Sequence, residues 1–305
     1  MSIPMNWNEE MNTMSAKLTS AATFTPATIN NTPEQSKMLT SNTNSGTSIQ
    51  NIDCQSSSTM QENNRDLPEL NIPEKILFVV DTAKEENCTP FKVGTGESYS
   101  PLYMIKRVVE TFINAKSTIQ RKHEYGLMIL ESSSVRWISD FTNNVKTILN
   151  YLDTIEESIN QEKTFNMGLI FKEIWFKIPK DNCVNFLPVF TTRVILIYSR
   201  SNCIPKFYEC SGPSGSECLV TITSNPYFFL DVLYVHEPPT TENLCEDVYT
   251  ELISLDICHF CHVYEVGRNA AKLHDNMAKL LAHPLQRPLQ VDTCYSINES
   301  ILTNN

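Results

Sequence analysis

Lys75-Ile76-Leu77-Phe78-Val79-Val80-Asp81 is the stretch that decides the fold. An apolar run of this length, rich in β-branched residues and without polar alternation, predicts a strand buried on both faces, as in a parallel α/β sheet. In open α/β sheets, ligands sit beyond the carboxyl ends of the strands. Asp81 stands at that place, followed by Thr82, Ala83, Lys84 and Glu85.

Downstream, the pattern alternates between apolar runs and helical periodicity. Leu102, Ile105, Val108, Val109 and Phe112 recur at helical spacing over 101–116, with Ser100 as N-cap and Pro101 at the first helical position. Strands are expected over 125–130 and 135–138. Helices follow over 142–157 and from 165 to 177. The run 194–198 reads as a strong strand, 203–223 as loop, and 227–235 as another strand. A helix over 243–255, an edge strand over 263–266 and a helix over 269–282 complete the order, with His283-Pro284 as the stop. Alternating strands and helices predict a doubly wound, mostly parallel sheet covered on both faces.

Upstream, residues 1–70 are dominated by Ser, Thr and Asn, with Trp7 and Phe24 as the aromatic residues. Such a segment cannot bury enough apolar area to offset an ordering entropy of about 1–2 kcal/mol per residue, and it reads as a disordered arm. The expected organisation is that arm, an α/β domain over 71–283, and a C-terminal docking peptide and tail over 284–305.

The chain has 305 residues and is 41% hydrophobic, enough for one large domain with tails. A net charge of −11 argues against nucleic acid as the main partner. The N-terminus lacks the basic and apolar regions of a signal peptide, and no apolar run approaches a membrane span, so a cytoplasmic and nuclear location is expected. The ten cysteines should then be mostly reduced.

Motifs for catalysis are missing. There is no P-loop, HExxH or GxSxG, and no zinc isopeptidase signature. Gly94-Thr95-Gly96 lacks a third glycine and lies well after the strand. Cys258-His259-Phe260-Cys261-His262 matches the haem-attachment pattern, but no second cysteine pair completes a zinc site, so these read as ordinary core or rim residues. No cofactor is expected.

Asp81 at a strand end resembles the start of the metal site of a von Willebrand factor A-type domain. That site takes an aspartate, two hydroxyls two and four residues on, a threonine from a later loop, and a second aspartate after the central strand. Here Ala83 and Glu85 stand where the hydroxyls belong, Thr164 fits the loop threonine, and Ser199 replaces the second aspartate. Arg200 follows it, placing a positive charge where a cation would sit. Asp81 is therefore expected to tie down the loop instead. The alternative reading is a metal-dependent ligand-binding A-type domain, which needs a bound divalent cation.

After the last helix, Pro284-Leu285-Gln286-Arg287-Pro288 reads by composition as a plain helix terminator and tail, or else as a stiff, extended peptide suited to a partner's groove and expected to leave the domain surface. Together with Arg193–Arg200 (RVILIYSR), Asn225–His236 (NPYFFLDVLYVH) and Met277–Pro288 (MAKLLAHPLQRP), it resembles one family over 73–288. This is the von Willebrand A-like scaffold subunit of the BRISC deubiquitinase and of the related nuclear breast-cancer-protein A complex, the mediator of Rap interactions and targeting family. The resemblance implies a non-catalytic adaptor that binds the ubiquitin-fold scaffold subunit, the brain-and-reproductive-organ-expressed protein, partly through Pro284–Pro288. Through it the adaptor would stabilise an assembly containing an Abraxas-type scaffold and a zinc isopeptidase that cleaves lysine-sixty-three-linked ubiquitin chains. The family's tankyrase-binding arm is not recognisable in residues 1–70.

Overall fold

The buried run around Phe78 becomes the central strand of a six-stranded sheet. A computed structural model describes residues 71–293 apart from 95, 181, 185–186 and 209–211; the expected disordered arm lies outside the described residues. The sheet strands are β1 (Glu74–Asp81), β2 (Glu124–Leu130), β3 (Val135–Thr142), β4 (Thr191–Tyr198), β5 (Phe228–Val235) and β6 (Val263–Val266). Their order is β3-β2-β1-β4-β5-β6, with β3 antiparallel and all other pairs parallel.

Six helices cover the two faces: α1 (Pro101–Ile119), α2 (Val145–Asp153), α3 (Gly168–Lys177), α4 (Gly215–Thr223), α5 (Cys245–Ile253) and α6 (Ala270–Lys279). Ile76, Phe78 and Val80 of β1 point into the layer formed by α1, α2 and α6. Leu77 and Val79 point into the layer of α3, α4 and α5. This period-two split explains why a continuous apolar run was required: both faces of β1 are core. The expected doubly wound α/β fold is the observed one.

Element boundaries differ from the sequence reading in places, each for a local reason. The helix expected over 142–157 begins at Val145, because β3 runs to Thr142 and the Asn144 side chain caps the Thr147 amide at 3.1 Å. Thr164–Asn166 is a short strand paired with Ile204–Lys206, and α3 starts only after it, with the Asn166 side chain accepting from the Gly168 amide at 3.0 Å. The expected loop over 203–223 contains α4, which opens with a reciprocal capping box between Ser214 and Glu217.

A larger correction concerns the C-terminus. Residues 284–290 do not leave the domain as an extended peptide. They turn after α6 and pack back under the sheet, with Pro284 and Leu285 buried.

Candidate functional site

The crevice of a doubly wound sheet lies where the strand order reverses, here between the carboxyl ends of β1 and β4. Asp81 ends β1 and Ser199 follows β4, so both sequence-predicted positions meet there. The Asp81 carboxylate accepts from the Ser199 amide at 3.0 Å and from the Ala83 amide at 3.1 Å. Arg200 folds over it and donates to Asp81 from Nε at 3.1 Å and from Nη2 at 3.0 Å. The same guanidinium closes the end of β2 through the carbonyls of Ser132 at 2.7 Å and Glu131 at 2.6 Å, and its carbon stands 4.5 Å from the Phe165 ring centre. Arg200 has no solvent exposure and Asp81 has 1%.

The other positions have been given different work. Ala83 pairs with Ser158 in a two-residue parallel ladder. Glu85 accepts from the Ser201 and Asn202 amides at 2.8 and 2.7 Å, so it caps the loop after β4 rather than facing Asp81. Thr164 belongs to the ladder with Ile204. A divalent cation of the Mg²⁺ class needs near-octahedral oxygen ligands. Here both carboxylate oxygens of Asp81 are engaged by N–H donors and a permanent cation occupies the crevice, so the donor set does not fit such an ion. Among the described residues, no group of three His, Cys, Asp or Glu could hold a metal.

A second cluster lies at the opposite end of the sheet, and its charges come from inside apolar strands. Glu74, Arg193 and Asp231 have no solvent exposure. Arg193 Nε donates to Asp231 at 2.7 Å and its Nη1 to Glu74 at 3.4 Å, while the 2%-exposed Lys116 pairs with Glu74 at 2.5 Å. Into this network comes Arg287. It grips Asp231 with both terminal nitrogens, at 3.0 and 2.5 Å, and donates to the Phe260 carbonyl at 3.1 Å. Burial opposes the charge on Asp231, but Arg287 and Arg193 hold its carboxyl well below the usual carboxylate range.

Neutral histidines fix the rest of the segment. His262 Nε2 faces the Pro288 carbonyl at 3.2 Å, which can only accept, so this nitrogen carries the proton and Nδ1 accepts from the Tyr264 hydroxyl at 3.1 Å. His283 repeats the logic between the Ile72 carbonyl at 3.0 Å and the Leu285 amide at 3.2 Å. Burial pushes His262 down to about 4 and lowers His283 as well. The Gln290 amide then bonds both backbone groups of Val263, at 2.7 and 2.8 Å, and so covers part of the open edge of β6.

Of the five residues expected to dock, Pro284, Leu285 and the Arg287 guanidinium are thus held by the domain, whereas Gln286 and Pro288 are exposed. The CxxCH motif is structural in the same way. The Cys258 thiol meets the Thr223 carbonyl at 3.3 Å, and burial pushes Cys261 well above the usual thiol range.

No family model matches the chain. Among curated proteins it is 33% identical over 239 residues to "BRISC and BRCA1-A complex member 1" of Xenopus laevis, covering 76% of this chain and 70% of that one. The protein of the same name from Homo sapiens is 32% identical over 240 residues, with 76% and 70% covered, and that of Danio rerio 31% over 242 residues, with 76% and 62% covered. Among solved structures, the SpRpn10 VWA domain aligns over 71% of this chain and 99% of its own at 11% identity and a TM-score of 0.43. At that identity and coverage of the curated relatives, the chain belongs to the family of BRISC and BRCA1-A complex member 1.

Proposed function

We propose that this chain is a non-catalytic scaffold subunit of a BRISC- or BRCA1-A-type deubiquitinase complex. In it the chain would bind the ubiquitin-fold scaffold subunit and, through that, stabilise an Abraxas-type scaffold and a zinc isopeptidase acting on lysine-sixty-three-linked ubiquitin chains. The observation that carries the reading is Arg200. It fills the crevice where this architecture takes a ligand, so the chain's own surfaces are left as its means of action. Family membership supplies the kind of assembly.

In this reading the segment after α6 is a preorganised docking element. Its exposed members Gln286 and Pro288 face the partner, and Arg287 positions them by gripping Asp231. A rigid, pre-folded loop loses less freedom on binding than a loose tail. We place the protein in the cytoplasm and nucleus. No helix among the described residues is long and apolar enough to cross a membrane.

The test is native capture of the full chain from its source cells, followed by mass spectrometry. Co-purification of a ubiquitin-fold subunit together with a zinc isopeptidase supports the proposal. Capture of the chain alone, under conditions that preserve known assemblies, would overturn it.

A further inference from the structure

The segment after α6 continues past Pro288, and three successive anchors tie it to one stretch of chain at the start of β6. Arg287 donates to the Phe260 carbonyl, His262 donates to the Pro288 carbonyl, and Gln290 bonds Val263. Gln290 Oε1 accepts from the Val263 amide at 2.7 Å and its Nε2 donates to the Val263 carbonyl at 2.8 Å. His262 and Val266 turn their carbonyls to β5, and in the alternation Val263 turns its groups the other way. Gln290 thus takes the two backbone groups that a further strand would use. Behind it, the Thr293 hydroxyl donates to the Gln290 carbonyl at 2.7 Å.

Between and beside these anchors stand apolar side chains. Pro288 is exposed, Leu289 is 36% exposed and Val291 is 88% exposed. Among the described residues, no large apolar side chain is more exposed than Val291. A single exposed valine is ordinary. Three apolar side chains within four residues, on a backbone fixed by hydrogen bonds, form a rigid ridge instead.

The kind of partner follows from what the ridge lacks. Gln286, Pro288, Leu289 and Val291 carry no charge, and the exposed Asp292 marks the ridge's end, so recognition here is by shape and apolar burial. A stable interface takes roughly 20–30 residues on each side. A ridge this narrow cannot hold a second copy of the chain by itself, but it suits a groove, and it is continuous with the docking element already described.

We propose that Pro288, Leu289 and Val291 form a ridge that seats in an apolar groove of the ubiquitin-fold subunit, with Gln290 as the residue that positions it. This rests on the scaffold reading above and adds to it the contacts beyond Pro288.

The experiment measures, by isothermal titration, the affinity of the full chain for the purified ubiquitin-fold subunit from the same cells. Val291→Asp should weaken it by at least about tenfold while the melting temperature and circular dichroism spectrum stay unchanged, and Leu289→Asp should weaken it similarly. Ile159→Asp is the control. Ile159 is 79% exposed and pairs with Lys84 beyond the carboxyl end of β1, at the other end of the sheet, and its replacement should leave the affinity as it is. Gln290→Ala should also weaken binding, and adding it to Val291→Asp should cost little more, because Gln290 acts through the side chain it presents.

The outcomes separate the two readings. If the wild-type chain binds and the Leu289 and Val291 variants bind equally well, the ridge is not a contact and the scaffold reading stands without it. If the wild-type chain does not bind, both fall. An equal loss with Ile159→Asp would show an effect of added charge alone and overturn the ridge. So would a self-association of the full chain in sedimentation that disappears with Val291→Asp, since it would assign the ridge to a second copy.

Discussion

Arg287 presents a side chain with 3% exposure to a carboxylate with none. Removing one partner of a buried pair costs about 3–5 kcal/mol, and Arg193 still neutralises Asp231, so Arg287→Ala should fall at the lower end. In a domain of this size that lowers the melting temperature by on the order of ten degrees. Arg287→Lys should lose less, keeping the charge but not the two-pronged grip. A melting temperature unmoved by Arg287→Ala would mean the grip contributes nothing. From the sequence this arginine reads as projecting between two prolines, because periodicity says nothing about what a tail packs against. The missed signal lay elsewhere: Arg193 and Asp231 sit within apolar strand runs and Glu74 opens another, and a buried charge requires a partner from outside its own strand. Asp81 was legible in part: the sequence sets Arg200 where a cation would sit and expects Asp81 to tie down its loop, but it does not name the pair that the two form. Titration with millimolar Mg²⁺ should therefore give no saturable heat. A low-micromolar dissociation constant abolished by Asp81→Ala would contradict the placement of Arg200.

The segment after α6 behaves as an element held by hydrogen bonds to neutral imidazoles, which makes it acid-sensitive. His262 accepts at Nδ1 and donates at Nε2, so protonation removes the acceptor for the Tyr264 hydroxyl. His123 likewise accepts from the Glu74 amide at 2.9 Å, and burial pushes it down to about 4. Folded-state values below the unfolded 6.5 mean that the unfolded chain binds more protons between pH 6.5 and about 4. Stability is then fully present above pH 6.5 and is lost as the pH falls through that window, by up to about 1.4 kcal/mol per pH unit for each group. Urea midpoints measured across it should fall, and His262→Gln should flatten the slope; a flat wild-type profile would refute the assignment. A different element contact rests on size alone. A Cβ on Gly215 would lie 2.0 Å from the Gly168 Cα, where α3 and α4 cross. Gly215→Ala should cost at least about 1–3 kcal/mol by forcing the helices apart, whereas Gly267→Ala meets nothing within 4 Å and should change stability little. Equal denaturation midpoints for the two variants would show that the crossing tolerates expansion. Neither glycine announces this in the sequence. Helix α4 did: Ser214 and Glu217 form the spacing of a capping box, and reading the surrounding glycines as loop hid it.

At the scale of the whole molecule, the alternation of buried strands with amphipathic helices made the fold legible, because burial on both faces leaves a strand no polar positions. Which end of the sheet carries the functional surface was less legible, since side chains distant in sequence assemble each cluster: Arg193 and Asp231 with Arg287, and Asp81 with Arg200. The two buried networks differ in consequence. One fills the ligand crevice, and the other binds the C-terminal segment to the sheet, so the described interior is committed to structure. Catalysis of peptide-bond cleavage needs an activated nucleophile or a metal-activated water. Burial pushes the thiols of Cys88, Cys203, Cys218, Cys245 and Cys261 above their ordinary range, the reverse of what a thiolate nucleophile requires. His262 and His283 spend both ring nitrogens on the C-terminal segment, leaving neither nitrogen available as a base. The isolated chain should accordingly leave a lysine-sixty-three-linked ubiquitin dimer intact over hours, with or without added Zn²⁺, as read on a denaturing gel. The decisive control is a preparation passed over affinity resin to remove co-purifying isopeptidase. Cleavage that survives this step, and that falls with a cysteine or histidine substitution in this chain, would show a catalytic centre of its own and would remove the basis for reading it as a scaffold.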